Sequence, residues 1–274
     1  MRTSTAALAV GASVAAILLY RKFCAKSHIK VSTHEDSSEL GKAAAAFVAN
    51  KINATVVAKG HARVIVATGA SQFEFIAELV KLSVPWDKVT CFHLDEYCGL
   101  PETHGASFRK YLRERLFSKL TPQPAKVHYL DPATVKAYDE LLAADDIDLA
   151  CIGIGENGHV AFNDPPPGGA DFADPVLVKK VALDDACRRQ QLGEGWFKTL
   201  ADVPTHAITL TVPAIMRART ISCVVPDERK AQAVRDTMAS AISTACPATI
   251  LRTHSDCMLW LDKPSASLLG AASK

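Results

Sequence analysis

The chain has 274 residues, a formal charge of +2, 49% apolar residues and 7% aromatics. That composition excludes an intrinsically disordered chain, and so slight a charge, with no Lys/Arg stripe, excludes a basic nucleic-acid footprint. Setting aside the first thirty or so residues leaves about 240, enough to bury a sizeable core as one α/β unit.

The N-terminal segment reads as separate. From Thr3 to Tyr20 no residue is charged, and the run is bounded by Arg2 and by Arg21-Lys22. A bilayer core needs ~20 apolar residues, so residues 1–22 are predicted to form a transmembrane anchor helix. Basic residues are denser after the run (Arg21, Lys22, Lys26, Lys30) than before it. By the positive-inside rule the remainder then faces the cytosol; cleavage of the segment would instead leave the domain in an organelle. Residues 23–37 are polar and read as a linker, and residues 38–274 as the folded domain.

A helix follows, with Leu40, Ala43, Ala44, Phe47 and Val48 at helical spacing and Asp36, Ser37 or Ser38 as N-cap. The chain then alternates. Strands are predicted at Val64–Ala67, Val89–Leu94, Val127–Leu130, Leu149–Ile154, Ile208–Val212, Ile221–Val225 and Met258–Leu261. Helices are predicted at Phe73–Leu82, Phe108–Leu116, Val135–Leu142, Pro213–Ala218 and Glu228–Ala239. Alternation of this kind implies an open, mostly parallel Rossmann-like sheet with helices on both faces. Near-continuous apolar runs such as VIVA and LACIGI suit strands buried on both sides. The stretch from Asn163 to Gly169, NDPPPGG, cannot be helix or central strand. It opens a weakly patterned polar region, to about Pro204, that reads as an insertion able to close over a site. The eight cysteines form no C-x-x-C pair and no zinc-spaced cluster. Several lie in apolar runs and read as small buried hydrophobes, which fits a reducing compartment.

Ligands of open α/β sheets bind beyond the carboxyl ends of the strands. Here VIVA runs into Thr68-Gly69-Ala70-Ser71, VTCFHL into Asp95-Glu96-Tyr97, LACIGI into Gly155-Glu156-Asn157-Gly158-His159, and TISCVV into Pro226-Asp227-Glu228-Arg229-Lys230. Four polar tips thus meet at one sheet edge. Thr68–Ser71 is either a phosphate-binding turn or an ordinary N-cap. Asp95 and Glu96 are adjacent, so on an extended segment they face opposite ways; they are either two solvated loop acids or a single base, Asp95, with Glu96 packed elsewhere. Asn157-Gly158-His159 is either a tight turn or one that exposes an imidazole for proton transfer. Lys230 is either a phosphate-holding point charge or a solvated lysine.

In order and spacing, TGAS after a strand, FHLDEYCGLPETHGASFRKYL, GIGENGHVAFNDP and VVPDERKAQAV resemble glucosamine-6-phosphate deaminases over most of residues 38–269. The resemblance implies hydrolytic deamination and isomerisation of glucosamine 6-phosphate to fructose 6-phosphate and ammonia, with neither a metal nor an organic cofactor. It implies Asp95 as the base at C2 and C1, and His159, oriented by Asp164, as the group that assists ring opening. It also implies a place for Asn157 in the catalytic set, and Thr68, Gly69, Ala70, Ser71, Arg188 and Lys230 as phosphate ligands. Asn157 stands where some members carry aspartate, and Asp164 where glutamate is usual. The expected partners are a phosphorylated amino sugar, the membrane through the N-terminal segment and a second copy of the chain, but no nucleic acid. The rival readings are a 6-phosphogluconolactonase-like hydrolase, which would carry DER in place of Asp95-Glu96-Tyr97, and a non-catalytic sugar-phosphate sensor.

Overall fold

The computed structural model describes residues 28–270. The first strand, β1 (Ile29–His34), falls inside the segment read as a linker. Its alternation of small, polar and charged residues hides it, because it lies at the edge of the sheet and pairs only with the last strand, β10 (Cys257–Asp262). Asp256 ties this edge together through Lys30 at 3.3 Å, Lys51 at 2.7 Å and the Thr220 hydroxyl at 2.8 Å.

Helix α1 (Ser37–Lys59) starts where the Asp36 side chain accepts from Glu39 N–H, and ends at Gly60, whose φ of 79° supplies the left-handed turn. Strand β2 (Ala62–Val66) leads to α2 (Phe73–Leu79), β3 (Val89–His93), β4 (Asp95–Tyr97), α3 (Phe108–Arg115), β5 (Lys126–His128) and α4 (Val135–Ala143). There follow β6 (Leu149–Ile152), β7 (Val178–Ala182), α5 (Asp185–Gly193), β8 (His206–Leu210), α6 (Val212–Met216), β9 (Thr220–Val225), α7 (Ala231–Ala239) and then β10.

Seven strands form one sheet in the order β1-β10-β9-β6-β2-β3-β5, and every pairing in it is parallel. The period of two along each strand feeds two cores. Val64 and Val66 face α1 and α2 with Leu40, Val48, Phe75 and Leu79, while Ile65 faces the opposite layer with Tyr138, Ile215 and Val234. Both faces are therefore covered, as the apolar strand sequences require. The chain leaves β2 toward β3 on one side and returns as β6 on the other. That reversal places a crevice at the carboxyl ends of β2 and β6.

Two expectations need correction. The predicted strand at Ile208–Val212 is β8, but it belongs to a separate three-stranded antiparallel sheet, β4-β8-β7. Its partner β7 lies in the region read as unpatterned insertion, since VKKVA places two lysines in an edge strand. The anchor helix is also withdrawn from the fold. No described helix is long and apolar enough to cross a membrane. The longest, α1, carries Glu39, Lys42, Lys51 and Lys59 and covers the sheet instead. Residues 1–22, on which the anchor is read, lie outside the described residues, and neither a membrane location nor a membrane partner is retained.

Candidate active site

A cleft opens at the predicted crevice, lined by Thr68–Ser71, Asp95, Gly153–Gly155, His159, Ala161, Gln190, Gln191, Glu194 and Lys230. All four strand tips singled out in the sequence reach it.

After β2, Gly69 adopts φ 93°, a conformation open to glycine, and its carbonyl accepts from the Tyr111 hydroxyl at 3.0 Å. A single 3₁₀ turn over Ala70–Gln72 then enters α2. After β3 the chain crosses into β4, where Asp95 pairs with Thr209. Asp95 is 7% exposed. Burial, reinforced by the neighbouring Glu96, pushes its pKa up to about 8.

Glu96 turns the other way, as the extended backbone requires. It is fully buried and accepts from the N–H groups of Tyr97, Phe108 and Arg109 and from the Ser107 hydroxyl, all within 3.1 Å. The carboxylate thus sits on the first turn of α3, where free N–H groups and the helix dipole favour an anion. Glu96→Ala leaves these donors unpaired in a dry site. An unfolding free energy lower by about 3–5 kcal/mol is expected, measurable by urea denaturation.

After β6 the loop folds tightly, with Gly155 N–H donating to the His159 carbonyl and Gly158 N–H to that of Gly155. A Cβ on Gly155 would stand 2.1 Å from Cε1 of His159, so the imidazole lies flat against the bare backbone. His159 Nδ1 is 3.0 Å from Oδ1 of Asp164. The shorter aspartate therefore still meets the imidazole. Asn157 serves both neighbours: its Nδ2 donates to Asp164 Oδ1 at 3.1 Å and its Oδ1 accepts from His159 N–H at 3.1 Å. Burial alone would raise the pKa of Asp164, but hydrogen bonding from His159, then from Asn157 and the Cys187 thiol, holds it below the usual range. Asn163 pins the loop through the carbonyls of Val160 and Leu210, and Ala161 takes a φ of 51° between the two.

Lys230 closes the turn after β9. It is 4% exposed, and its ammonium has neither a hydrogen bond nor an ion pair among the described residues. Burial lowers its pKa, an effect opposed by Glu194 and Glu156.

Arg188 is not part of this cleft. Its guanidinium donates to the carbonyls of Leu200 at 2.7 Å and Val203 at 3.1 Å, which turns it toward the 3₁₀ turn at Leu200–Asp202. The same helix, α5, instead contributes Gln190 and Gln191, and its C-cap contributes Glu194. Gln190 accepts from Glu156 N–H and donates to Glu194, and Gln191 accepts from the Tyr97 hydroxyl at 2.6 Å. The signal for α5 was present in Asp184, which caps the helix, but only its docking against the Gly155–His159 loop shows which face meets the cleft.

The sequence profile of the family described as glucosamine-6-phosphate isomerases/6-phosphogluconolactonase matches residues 35–162. Glucosamine-6-phosphate deaminases of Bacillus thuringiensis and Bacillus anthracis are each 35% identical to the chain over 249 residues, covering 88% of both sequences. A monomeric glucosamine-6-phosphate deaminase superimposes with a TM-score of 0.78 at 29% identity, across 87% of this chain and 99% of that one. A 6-phosphogluconolactonase from Shewanella baltica superimposes with a TM-score of 0.69 at 20% identity, covering 85% and 97%. At that identity the likeness concerns the fold alone.

Proposed function

This chain belongs to the glucosamine-6-phosphate deaminase family, and on that premise we propose that its cleft binds glucosamine 6-phosphate, opens the ring, and converts the sugar to fructose 6-phosphate and ammonia. The observation that carries the reading is a buried carboxylate, Asp95, in one crevice with an aspartate-oriented imidazole and an unpaired buried ammonium. Lactone hydrolysis, by contrast, is represented only by structures about 20% identical.

The phosphate is assigned to the Thr68–Ser71 turn and Lys230. The Thr68 and Ser71 hydroxyls and the turn's N–H groups supply donors, and Lys230 supplies charge. With Nδ1–H turned to Asp164, His159 keeps Nε2 as a proton acceptor for ring opening. Asp95 then removes the C2 proton of the open aldose, leaving an enolamine, and returns the proton to C1. The resulting imine adds water and loses ammonia, a hydrolysis of the C–N bond. Asn157 has no proton to relay in this scheme; its amide holds Asp164 and His159 in register.

The deciding experiment supplies glucosamine 6-phosphate and 6-phosphogluconolactone to the same preparation. Ammonia and fructose 6-phosphate in equal amounts are expected from the first. Lactone hydrolysis without ammonia would transfer the chain to the rival activity, and sugar-phosphate binding with neither reaction would favour the sensor. Gly155→Ala is expected to lower kcat by ~10²-fold or more, because a side-chain displacement of about 1 Å costs that much. Steady-state ammonia release reads it directly.

A further inference from the structure

Behind the imidazole, three side chains with metal-binding donors converge. His159, Asp164 and Cys187 are all buried, and one donor atom from each lies within 4.8 Å of the other two. They come from the loop after β6, the turn that follows it and the first turn of α5. Asp164 is fully buried, yet its Oδ2 has no hydrogen-bond partner. Cys187 is fixed by its backbone N–H, which donates to the Asp184 cap at 2.6 Å. Its thiol takes no proton from the sugar in the deamination scheme and acts there only through Asp164.

Zinc holds sulfur at about 2.3 Å and nitrogen and oxygen at ~2.0–2.2 Å in a tetrahedron. Ligand atoms in such a site stand roughly 3.3–3.7 Å apart. His159 Nδ1 and Asp164 Oδ1 are already 3.0 Å apart, so side-chain shifts on the order of 1 Å would complete the set. The combination of thiolate, imidazole and a single carboxylate suits Zn²⁺ and excludes Mg²⁺ or Ca²⁺, which take oxygen ligands.

We propose that His159, Asp164 and Cys187 form a Zn²⁺ site whose occupation switches off proton transfer at His159. On binding, the Cys187 S–H bond breaks, a sulfur–zinc bond forms and the thiol proton leaves to solvent, with no change of oxidation state. The imidazole coordinates through Nδ1, and its one proton moves to Nε2. The nitrogen left for the sugar then has a hydrogen to donate and no lone pair to accept with. Since Lys230 and the Thr68–Ser71 turn stay free, zinc lowers kcat and leaves KM for the sugar phosphate nearly unchanged.

The kinetic arm rests on the deaminase reading; the binding arm does not. Untagged full-length protein is titrated with Zn²⁺ during ammonia release, and with Co²⁺ alone while the near-ultraviolet thiolate-to-cobalt band is followed. The expected result is a kcat lowered by about 10-fold or more, KM within about 2-fold, full recovery with a chelator, and a cobalt–thiolate band. Cys187→Ala is expected to lose the band and, measured against its own metal-free rate, to require more zinc by at least the ~10–100-fold that loss of a supporting group costs a metal site. Cys187→Ser serves as the control for packing, and should also lose the band. Absence of the band in the wild type, or equal zinc inhibition of Cys187→Ala, overturns the proposal. A protein that shows the band but releases no ammonia leaves the site standing and removes the deaminase reading.

Discussion

Asp95→Asn is expected to reduce kcat/KM for ammonia release by ~10²–10⁴-fold, the usual weight of a positioned base. The asparagine fills the same space between Thr209 and the cleft but cannot take the C2 proton. The raised pKa adds a pH signature. A base that ionises at about 8 is mostly protonated at neutrality, so kcat/KM should climb through that pH in the free enzyme. In the bound state the amino group of the sugar, when cationic, favours the carboxylate, so the corresponding rise in kcat should fall at lower pH. Stability moves oppositely. The folded protein holds this proton more tightly than the unfolded chain, whose aspartates ionise near 4. Between those two values the native state binds more protons, so the unfolding free energy drops as pH rises. Asp95→Asn lacks this dependence. Its melting temperature should exceed that of the wild type at pH 9 and approach it at pH 5. A variant that is inactive yet melts lower at both pH values would point to a structural role for Asp95 and remove it as the base.

Lys230→Met is expected to raise KM for the sugar phosphate by about 10–100-fold and to change kcat only a few-fold. A hydrogen bond to a charged group carries ~1.5–3 kcal/mol, which is that range of affinity. The ammonium faces the cleft from a largely buried side chain, with no acceptor among the described residues, a partly desolvated state that an anion would relieve. Its lowered pKa means that the folded state gives up the proton more readily than the unfolded chain. Below the usual lysine range, stability therefore rises with pH until both states are deprotonated. Methionine, similar in length and uncharged, should melt higher than the wild type in plain buffer. Inorganic phosphate should raise the melting temperature of the wild type and leave that of Lys230→Met unmoved. Equal phosphate stabilisation of both proteins would place the anion elsewhere.

What the sequence revealed follows from how local each signal is. The central strands were legible because burial on both faces writes Val64-Ile65-Val66 and Leu149–Ile152 as unbroken apolar runs. The cleft lining was legible in part because polar residues follow those runs. Asp95, His159 and Lys230 lie two, seven and five residues beyond the ends of β3, β6 and β9, and the parallel sheet brings those ends to one crevice. The small sheet was not legible. β4 has three residues, two of them acidic, and exists only through pairing with β8 more than a hundred positions away. The resemblance implied Arg188 as a phosphate ligand, but helix rotation decides where a guanidinium points, and here it donates to the carbonyls of Leu200 and Val203. Gln190, Gln191 and Glu194 took the cleft-facing positions instead.

The outermost strand sets a limit on any shortened form of the protein. Starting the chain at residue 38, the boundary that patterning suggests, would remove Ile29–His34 and strip β10 of the ladder it forms from Cys257 to Asp262. An apolar strand, CMLWLD, would then present an open row of amide and carbonyl groups, a template for molecules to join end on end. A truncated form should precipitate or self-associate, and a free peptide of sequence IKVSTH should restore its solubility by occupying the empty lane.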